Sequence, residues 1–253
     1  MAHFPSAGAV VSQLRDPCRS AGRTERGRTR ARNEDAFLDC PQHGCWAVAD
    51  GMGGHRAGDV ASQWVISSLA ALPRQSNFDQ RLDAVRHCLR ALDSRLGRGL
   101  PPNASAPYAI MGSTVVALLL EGNRAACVWA GDSRCYLWRG QRLYQLSRDH
   151  SLQQQLMDTQ RLTLQQAQSH PAARSLTRAL GGRQPLILEV LELCTRPGDV
   201  FLLCSDGLYQ GLGHDALGRA LSRGAPGQVV DRLFTEVLRG PAADDLTAVV
   251  VQP

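Results

Sequence analysis

The chain has 253 residues, 43% of them apolar and 20% charged, and at that length about 70% of the unfolded surface is buried on folding, so a core forms without disulfide or metal staples. Its net charge is +5, and every one of its 28 basic residues is an arginine. Seven arginines lie between positions 15 and 32, opposed there only by Asp16 and Glu25, with no interleaved aromatics and no nucleic-acid-binding motif, which favours a small anionic site over nucleic acid. No apolar run approaches the ~20 residues needed to span a bilayer. The opening MAHFPSAGAVVSQLRD lacks the basic start and long apolar region of a secretory leader, so a cytoplasmic location is expected. Eight cysteines include no CxxC pair, and Cys40 and Cys45 have no second pair or His partner that would indicate zinc. Cys45, Cys127, Cys135, Cys194 and Cys204 lie in or beside apolar runs and are expected as buried free thiols.

In chain order, AFLDC (36–40) and WAVAD (46–50) read as strands. Val60, Trp64, Val65, Leu69 and Leu72 then recur at helical spacing across 58–72. Leu82, Val85, Leu89, Leu92 and Leu96 do the same across 79–97, with Asn77 or Asp79 as the start signal. GRGLPPNASAP (97–107) reads as a flexible loop. GSTVVALLL (112–120), RAACVWAG (124–131), RCYLW (134–138) and RLYQLS (142–147) are strands joined by very short links, with Arg139-Gly140-Gln141 as a hairpin turn. Such links force antiparallel pairing, because a parallel crossover needs a dozen or more residues.

Residues 150–175 are polar and Gln-rich and read as a surface flap with one or two short helices. LILEVLEL (186–193), DVFLLCSD (199–206) and TAVVV (247–251) complete the strands, and a helix runs from Pro226 to Arg239, with Pro at its first turn and Gly240 as its stop. Strands segregated from helices indicate an α+β fold. With no internal repeat or linker, residues 1–253 read as one domain.

Three apolar strands end alike: WAVAD runs into Gly51, CVWAGD ends at Asp132, and FLLCSD runs into Gly207. Each alone is explained by the frequency of Asp in turns. Together they would set carboxylates at the mouths of neighbouring strands, where they repel unless cations intervene. Glu34-Asp35 and Asp244-Asp245 flank two further strands. Clustered carboxylates without His or Cys pairs suit Mg²⁺ or Mn²⁺, and paired metals about 3.5–4 Å apart are a common solution for phosphoester hydrolysis, activating water and neutralising developing charge.

RTRARNEDA (28–36), VADGMGGHRAGDVAS (48–62), GSTVV (112–116), AGDSRCYLWR (130–139), LSRDHS (146–151), LTRALGG (176–182), LLCSDGL (202–208) and DDLTAVVV (244–251) resemble, in order, the motifs of the type 2C metal-dependent Ser/Thr protein phosphatases, with the compact bacterial branch most similar. The resemblance covers roughly residues 22–251. It implies two packed antiparallel β-sheets flanked by helices on both outer faces, an αββα four-layer sandwich, and a centre of two or three Mn²⁺ or Mg²⁺ ions.

By the same resemblance, Asp50 bridges two metals, the Gly51 carbonyl binds one of them, and Asp206 and Asp244 are further ligands. Asp245 stands in the family's Asn position and is the alternative to Asp244 if the register slips. Asp132 with Asp206 holds a third ion, and Glu34 and Asp35 orient water. Arg30, four residues before Glu34, grips the substrate phosphate with a fork that lysine cannot supply. Met52 stands where eukaryotic members carry a proton-donating His; His55 is the nearest candidate acid, its other role being simply to cap or brace the following helix, and a metal-bound water is the alternative proton donor.

The activity implied is hydrolysis of phosphoserine and phosphothreonine in proteins, opposing a bacterial Ser/Thr kinase, by a monomer. An inactive sensing module of the same fold is the first alternative, though such proteins usually lose metal aspartates that this chain keeps. A small-molecule or nucleotide phosphohydrolase is the second. A nucleotide site would want a lysine beside a glycine-rich helix start, and the chain has no lysine.

Overall fold

The structure, a computed structural model, describes residues 18–53, 57–98, 111–182 and 184–253. Two antiparallel sheets face each other. One contains β1 (Arg19–Glu25), β7 (Arg134–Arg139), β8 (Arg142–Gln145), β10 (Val200–Cys204) and β11 (Leu246–Gln252), in the spatial order β1-β11-β10-β7-β8. The other contains β2 (Asp35–Cys40), β3 (Cys45–Met52), β5 (Val115–Glu121), β6 (Arg124–Ala130) and β9 (Glu189–Cys194), in the order β2-β3-β5-β6-β9, and the short β4 (Gly112–Ser113) pairs with the end of β3.

The central strands β3, β5, β6, β10 and β11 are apolar along most of their length instead of alternating, because both faces of each sheet are covered there. Between the sheets Trp46, Val48, Val116, Leu118, Cys127, Phe201, Leu203 and Val249 interdigitate. The opposite sides of the same strands carry small residues, Ala47, Ala49, Ala117 and Ala126, which let α1 (Gly58–Ala70) and α2 (Phe78–Leu96) pack closely through Val65, Leu69, Leu82 and Leu89. The outer face of the first sheet is covered by α5 (Asp206–Gly211), α6 (His214–Leu221) and α7 (Pro226–Val237), with Leu217, Val230, Leu233 and Phe234 against Leu202, Ala248 and Val250. The order helix, sheet, sheet, helix follows from these three buried layers.

Helix starts match their expected signals: Asn77 accepts a hydrogen bond from the Gln80 amide at the head of α2, and Pro226 opens α7. The 150–175 stretch carries two short helices, α3 (Leu152–Gln160) and α4 (Leu164–Gln168). Some expectations need correction. β1 is a strand although RSAGRTE carries little apolar signal, because its backbone pairs along β11 from Arg19 opposite Gln252 to Glu25 opposite Leu246. The strand expected from residue 186 begins at Glu189, and α5 and α6 add to the expected helices. Cys194 is exposed, whereas Cys45, Cys127, Cys135 and Cys204 are buried. The loop expected at 97–107 lies outside the described residues beyond Arg98. Among the described residues, no helix is long and apolar enough to cross a membrane.

Candidate active site

Antiparallel pairing gathers the acidic motifs at one end of the sandwich. Asp50, near the end of β3, lies directly opposite Asp35 at the start of β2. Cys204 pairs with Arg134 and with Ala248, so Asp206 just after β10 lies between the turn carrying Asp132 and the Asp244-Asp245 pair before β11. No two of these positions except neighbours in sequence are close along the chain.

The electrostatics record this crowding. Burial raises the Asp50 carboxyl well above its usual range, and Asp35, Asp206, Asp132 and Asp244 add repulsion. Asp132 is pushed up to about 7 by burial and then by Asp206 and Asp149. Asp206 is pushed up to about 6 by burial and by Asp244, with Arg174 and Arg30 opposing. Asp35 is raised to about 7, chiefly by burial, although hydrogen bonds from Ser205 and Thr247 pull the other way. Glu34 is raised by burial, with Arg30 opposing.

Around these carboxylates, hydrogen bonds fix the backbone. Thr114 lies opposite Asp50; its Oγ1 accepts the Asp50 N–H at 3.0 Å and pairs with Ser133 Oγ at 2.7 Å, while the Thr114 N–H donates to the Asp50 carbonyl at 2.8 Å. One hydroxyl thus joins the Asp50 strand to the turn after Asp132. Ser205 Oγ donates to Asp35 Oδ2 at 2.6 Å and accepts the Thr247 N–H at 3.0 Å. Asp245 receives the Gly27 N–H on one oxygen and the Glu34 N–H on the other, both at 2.8 Å. Gly51 has no room for a side chain, since a Cβ there would lie 1.9 Å from the Gly58 carbonyl oxygen.

Arg30 stands over the group, its Nη2 2.6 and 2.8 Å from the two oxygens of Asp244. Its neighbours in the basic stretch do other work: Arg28 donates to the carbonyls of Leu238 and Gly240, and Arg32 reaches Asp59 at 3.4 Å. The structure therefore brings together Asp50, Gly51, Asp132, Asp206, Asp244, Asp245, Glu34, Asp35 and Arg30. His55 lies outside the described residues. Thr114 and Ser205 lie inside motifs quoted above, but nothing in their types marked them as braces of the acidic cluster. A groove of about 690 Å³ opens beside Asp132, between α3–α4 and α5–α6, lined among others by Arg134, His170, Arg174, Tyr209 and His214.

A family model described as protein phosphatase 2C matches residues 23–250. The chain belongs to the protein phosphatase 2C family. The serine/threonine protein phosphatase PstP of Mycobacterium tuberculosis is 38% identical over 233 residues, 92% of this chain and 44% of that protein. The chain thus spans less than half the length of that curated relative. Among solved structures, PppA, a key regulatory component of T6SS in Pseudomonas aeruginosa, superposes with a TM-score of 0.83 at 40% identity, covering 94% of this chain and 98% of that one. The catalytic domain of PstP in complex with two manganese ions superposes with a TM-score of 0.77 at 36% identity, over 93% and 97% of the two chains.

The donor set fits such ions. It is made of carboxylate oxygens and the Gly51 carbonyl, and Asp50, Asp132 and Asp206 resist ionisation because burial and neighbouring carboxylates disfavour their charged forms, which a divalent cation would reverse. Among the described residues no three acidic, His or Cys side chains converge on one point. Asp244 is turned to Arg30 and Asp206 to Gln210, whose Nε2 donates to it at 2.6 Å.

Proposed function

We propose that this chain is a protein serine/threonine phosphatase, cleaving phosphoserine and phosphothreonine monoesters at the Asp50–Asp206 end of the sandwich. The observation that carries this reading is the cluster of mutually repelling carboxylates, Asp50, Asp132, Asp206 and Asp244, capped by one exposed arginine fork. Asp50, Asp206, Asp244 and the Gly51 carbonyl would hold two Mn²⁺ or Mg²⁺ ions, and Asp132 with Asp206 a third. When bound, these ions would activate water at neutral pH and neutralise charge on the phosphoryl oxygens.

The protein's own groups do the rest. Thr114 and Ser205 hold the strand ends that carry Asp50 and Asp35, fixing the backbone on which those carboxylates sit, while Asp206 and Asp244 would turn from Gln210 and Arg30 to join them. Asp245, with both oxygens engaged by backbone amides, acts as a clamp on the Gly27–Glu34 loop, which supports Asp244 as the ligand of the pair. Glu34 and Asp35 would orient water. Arg30, 47% exposed along its side chain, is free to exchange Asp244 for a phosphate and to hold two of its oxygens. The groove beside Asp132 would take the polypeptide flanking the phosphorylated residue. His55 remains the candidate for protonating the departing alkoxide.

Residues 1–253 are read as one catalytic domain with its flap at 150–175, monomeric, cytoplasmic and working against a Ser/Thr kinase. The deciding experiment is hydrolysis of a phosphothreonine peptide, a phosphotyrosine peptide and a nucleotide by protein treated with EDTA and then given Mn²⁺. Mn²⁺-restored turnover of the phosphothreonine peptide above the other two is expected. Full activity without metal, or preference for the nucleotide, would overturn the reading.

A further inference from the structure

Gly131, which leads into Asp132, adopts φ of +115°, a region open to glycine and strained for other residues. A side chain is excluded there in any case, because a Cβ would lie 2.6 Å from Cβ and Cγ2 of Thr114. A turn made by so free a residue needs an external constraint, the more so as Asp206 and Asp149 press on the carboxylate it presents.

His150 supplies that constraint. Its ring Nδ1 accepts the Gly131 N–H at 3.1 Å and its backbone N–H donates to the Gly131 carbonyl at 2.9 Å, so both peptide groups of the glycine are held by one residue. With Nδ1 accepting, the proton of the neutral ring sits on Nε2, which donates to Glu189 Oε1 at 3.0 Å. The ring is 6% exposed and stacks on Trp129, with centroids 6.4 Å apart and planes 18° from parallel. Arg178 Nη1 donates to the same Glu189 oxygen at 2.9 Å and lies 3.4 Å from His150 Nε2, and the His150 carbonyl accepts the Thr177 N–H at 2.8 Å. A buried histidine with its tautomer, plane and backbone all held is an expensive way to fill space, and among the described residues it reaches toward the acidic cluster through Gly131.

We propose that His150 is a positioning residue: through Nδ1 and Gly131 it sets the Asp132 carboxylate for the third cation. The inference rests on the reading of Asp132 as a cation ligand. Partners of this kind, one step removed from a ligand, typically account for 10–100-fold in metal affinity.

Two substitutions divide the ring's contacts. His150→Asn places Oδ1 where Nδ1 was and keeps an acceptor for Gly131 while losing Glu189. His150→Gln keeps an N–H directed at Glu189 and loses the acceptor for Gly131. Mn²⁺ binding to the EDTA-treated proteins is measured by titration calorimetry, with thermal melting of each protein alongside. Wild type is expected to show a tight pair of sites and a weaker third. His150→Gln should weaken only the third, by about 10–100-fold, and His150→Asn should leave it within about threefold.

In the Asp132→Asn background His150→Gln should change nothing further, since residues acting through one another are not additive. Equal loss in both His150 variants, loss of the tight pair, or additivity with Asp132→Asn would overturn the proposal. If His150→Gln does not fold, His150→Asn decides alone, because a tenfold loss there contradicts action through Gly131. A wild type with only two Mn²⁺ sites also overturns it, while phosphothreonine turnover by the same sample keeps the proposed function standing.

Discussion

The hydroxyl of Thr114 is the connection most open to a quantitative test. Thr114 is 1% exposed, and Thr114→Val keeps its shape while deleting Oγ1. The Asp50 N–H and the Ser133 hydroxyl then lose their partner. A buried polar group left unpaired costs about 1–3 kcal/mol, so the loss should be roughly 2–4 kcal/mol after partial relaxation. For a chain of this length each kcal/mol moves the melting temperature by about 2–4 °C, which makes the expected drop about 5–15 °C. Thr114→Ser restores the hydroxyl and removes one buried methyl, at about 1 kcal/mol. Urea unfolding in EDTA compares the three proteins without metal linkage, and the slope with denaturant should not change. In Mn²⁺ the valine variant should also lose about 10- to 100-fold in turnover, because its Asp50 backbone is no longer pinned. A valine variant as stable as the serine variant would show that the hydroxyl bridge between the Asp50 strand and the Ser133 turn does not form.

Asp206→Asn should reduce turnover by orders of magnitude yet leave the melting temperature in EDTA unchanged or higher, because Asp206 is a source of the repulsion on Asp50 and Asp132; near-normal turnover would reduce Asp206 to a turn residue. Arg30→Ala should lower kcat/KM by about 10- to 150-fold, the equivalent of roughly 1.5–3 kcal/mol for a hydrogen bond to a charged group, with Arg30→Lys recovering part. Arg28→Ala, which frees the carbonyls of Leu238 and Gly240, should alter melting more than kinetics, and equal small kinetic effects at Arg28, Arg30 and Arg32 would show that the phosphate site is elsewhere. Burial lowers the His150 pKa below its ordinary 6.5, with Arg178 in the same direction and Glu189 and Asp149 opposing. The unfolded chain therefore binds the extra proton first, so this contribution to stability is intact above about pH 6.5 and is lost as pH falls toward the folded pKa. Asp35, Asp132 and Asp206, raised to about 6–7, titrate in the same window with the opposite sign, so the readout is the difference: from pH 8 to 5 wild type should lose melting temperature relative to His150→Asn.

Much of the fold is written in local periodicity. The three-four spacing of Leu82, Val85, Leu89, Leu92 and Leu96 appears directly as the buried face of α2, and the runs 115–121 and 246–252 are buried along almost their whole length because helices cover one side and the facing sheet the other. β1 escaped that reading. Its residues are polar or small, and it is a strand because β11 offers a backbone edge and because Gly22 leaves space for the Phe37 ring, which a Cβ would meet at 2.3 Å. α6, eight residues containing Gly218, is helical because Leu217 and Leu221 have a sheet to cover. Neither partner is visible from within those segments.

The same division runs through the site. Residue chemistry alone singled out Asp50, Asp132 and Asp206, since three apolar strands ending on an acid are readable in one dimension. Their assembly at one end of the sandwich is a consequence of antiparallel register, in which Cys204 meets both Arg134 and Ala248 and Asp35 meets Asp50. The sequence by itself therefore determined which side chains carry charge and on which strand each sits. Only the tertiary structure decided what each polar side chain faces: Asp244 toward Arg30, Asp245 toward two backbone amides, and His150 onto a glycine 19 residues away. The physical reason is range. Propensity and periodicity act over a turn of helix or a pair of strand residues, whereas repulsion between buried carboxylates and the pairing of a buried imidazole depend on distances through space that no local pattern encodes.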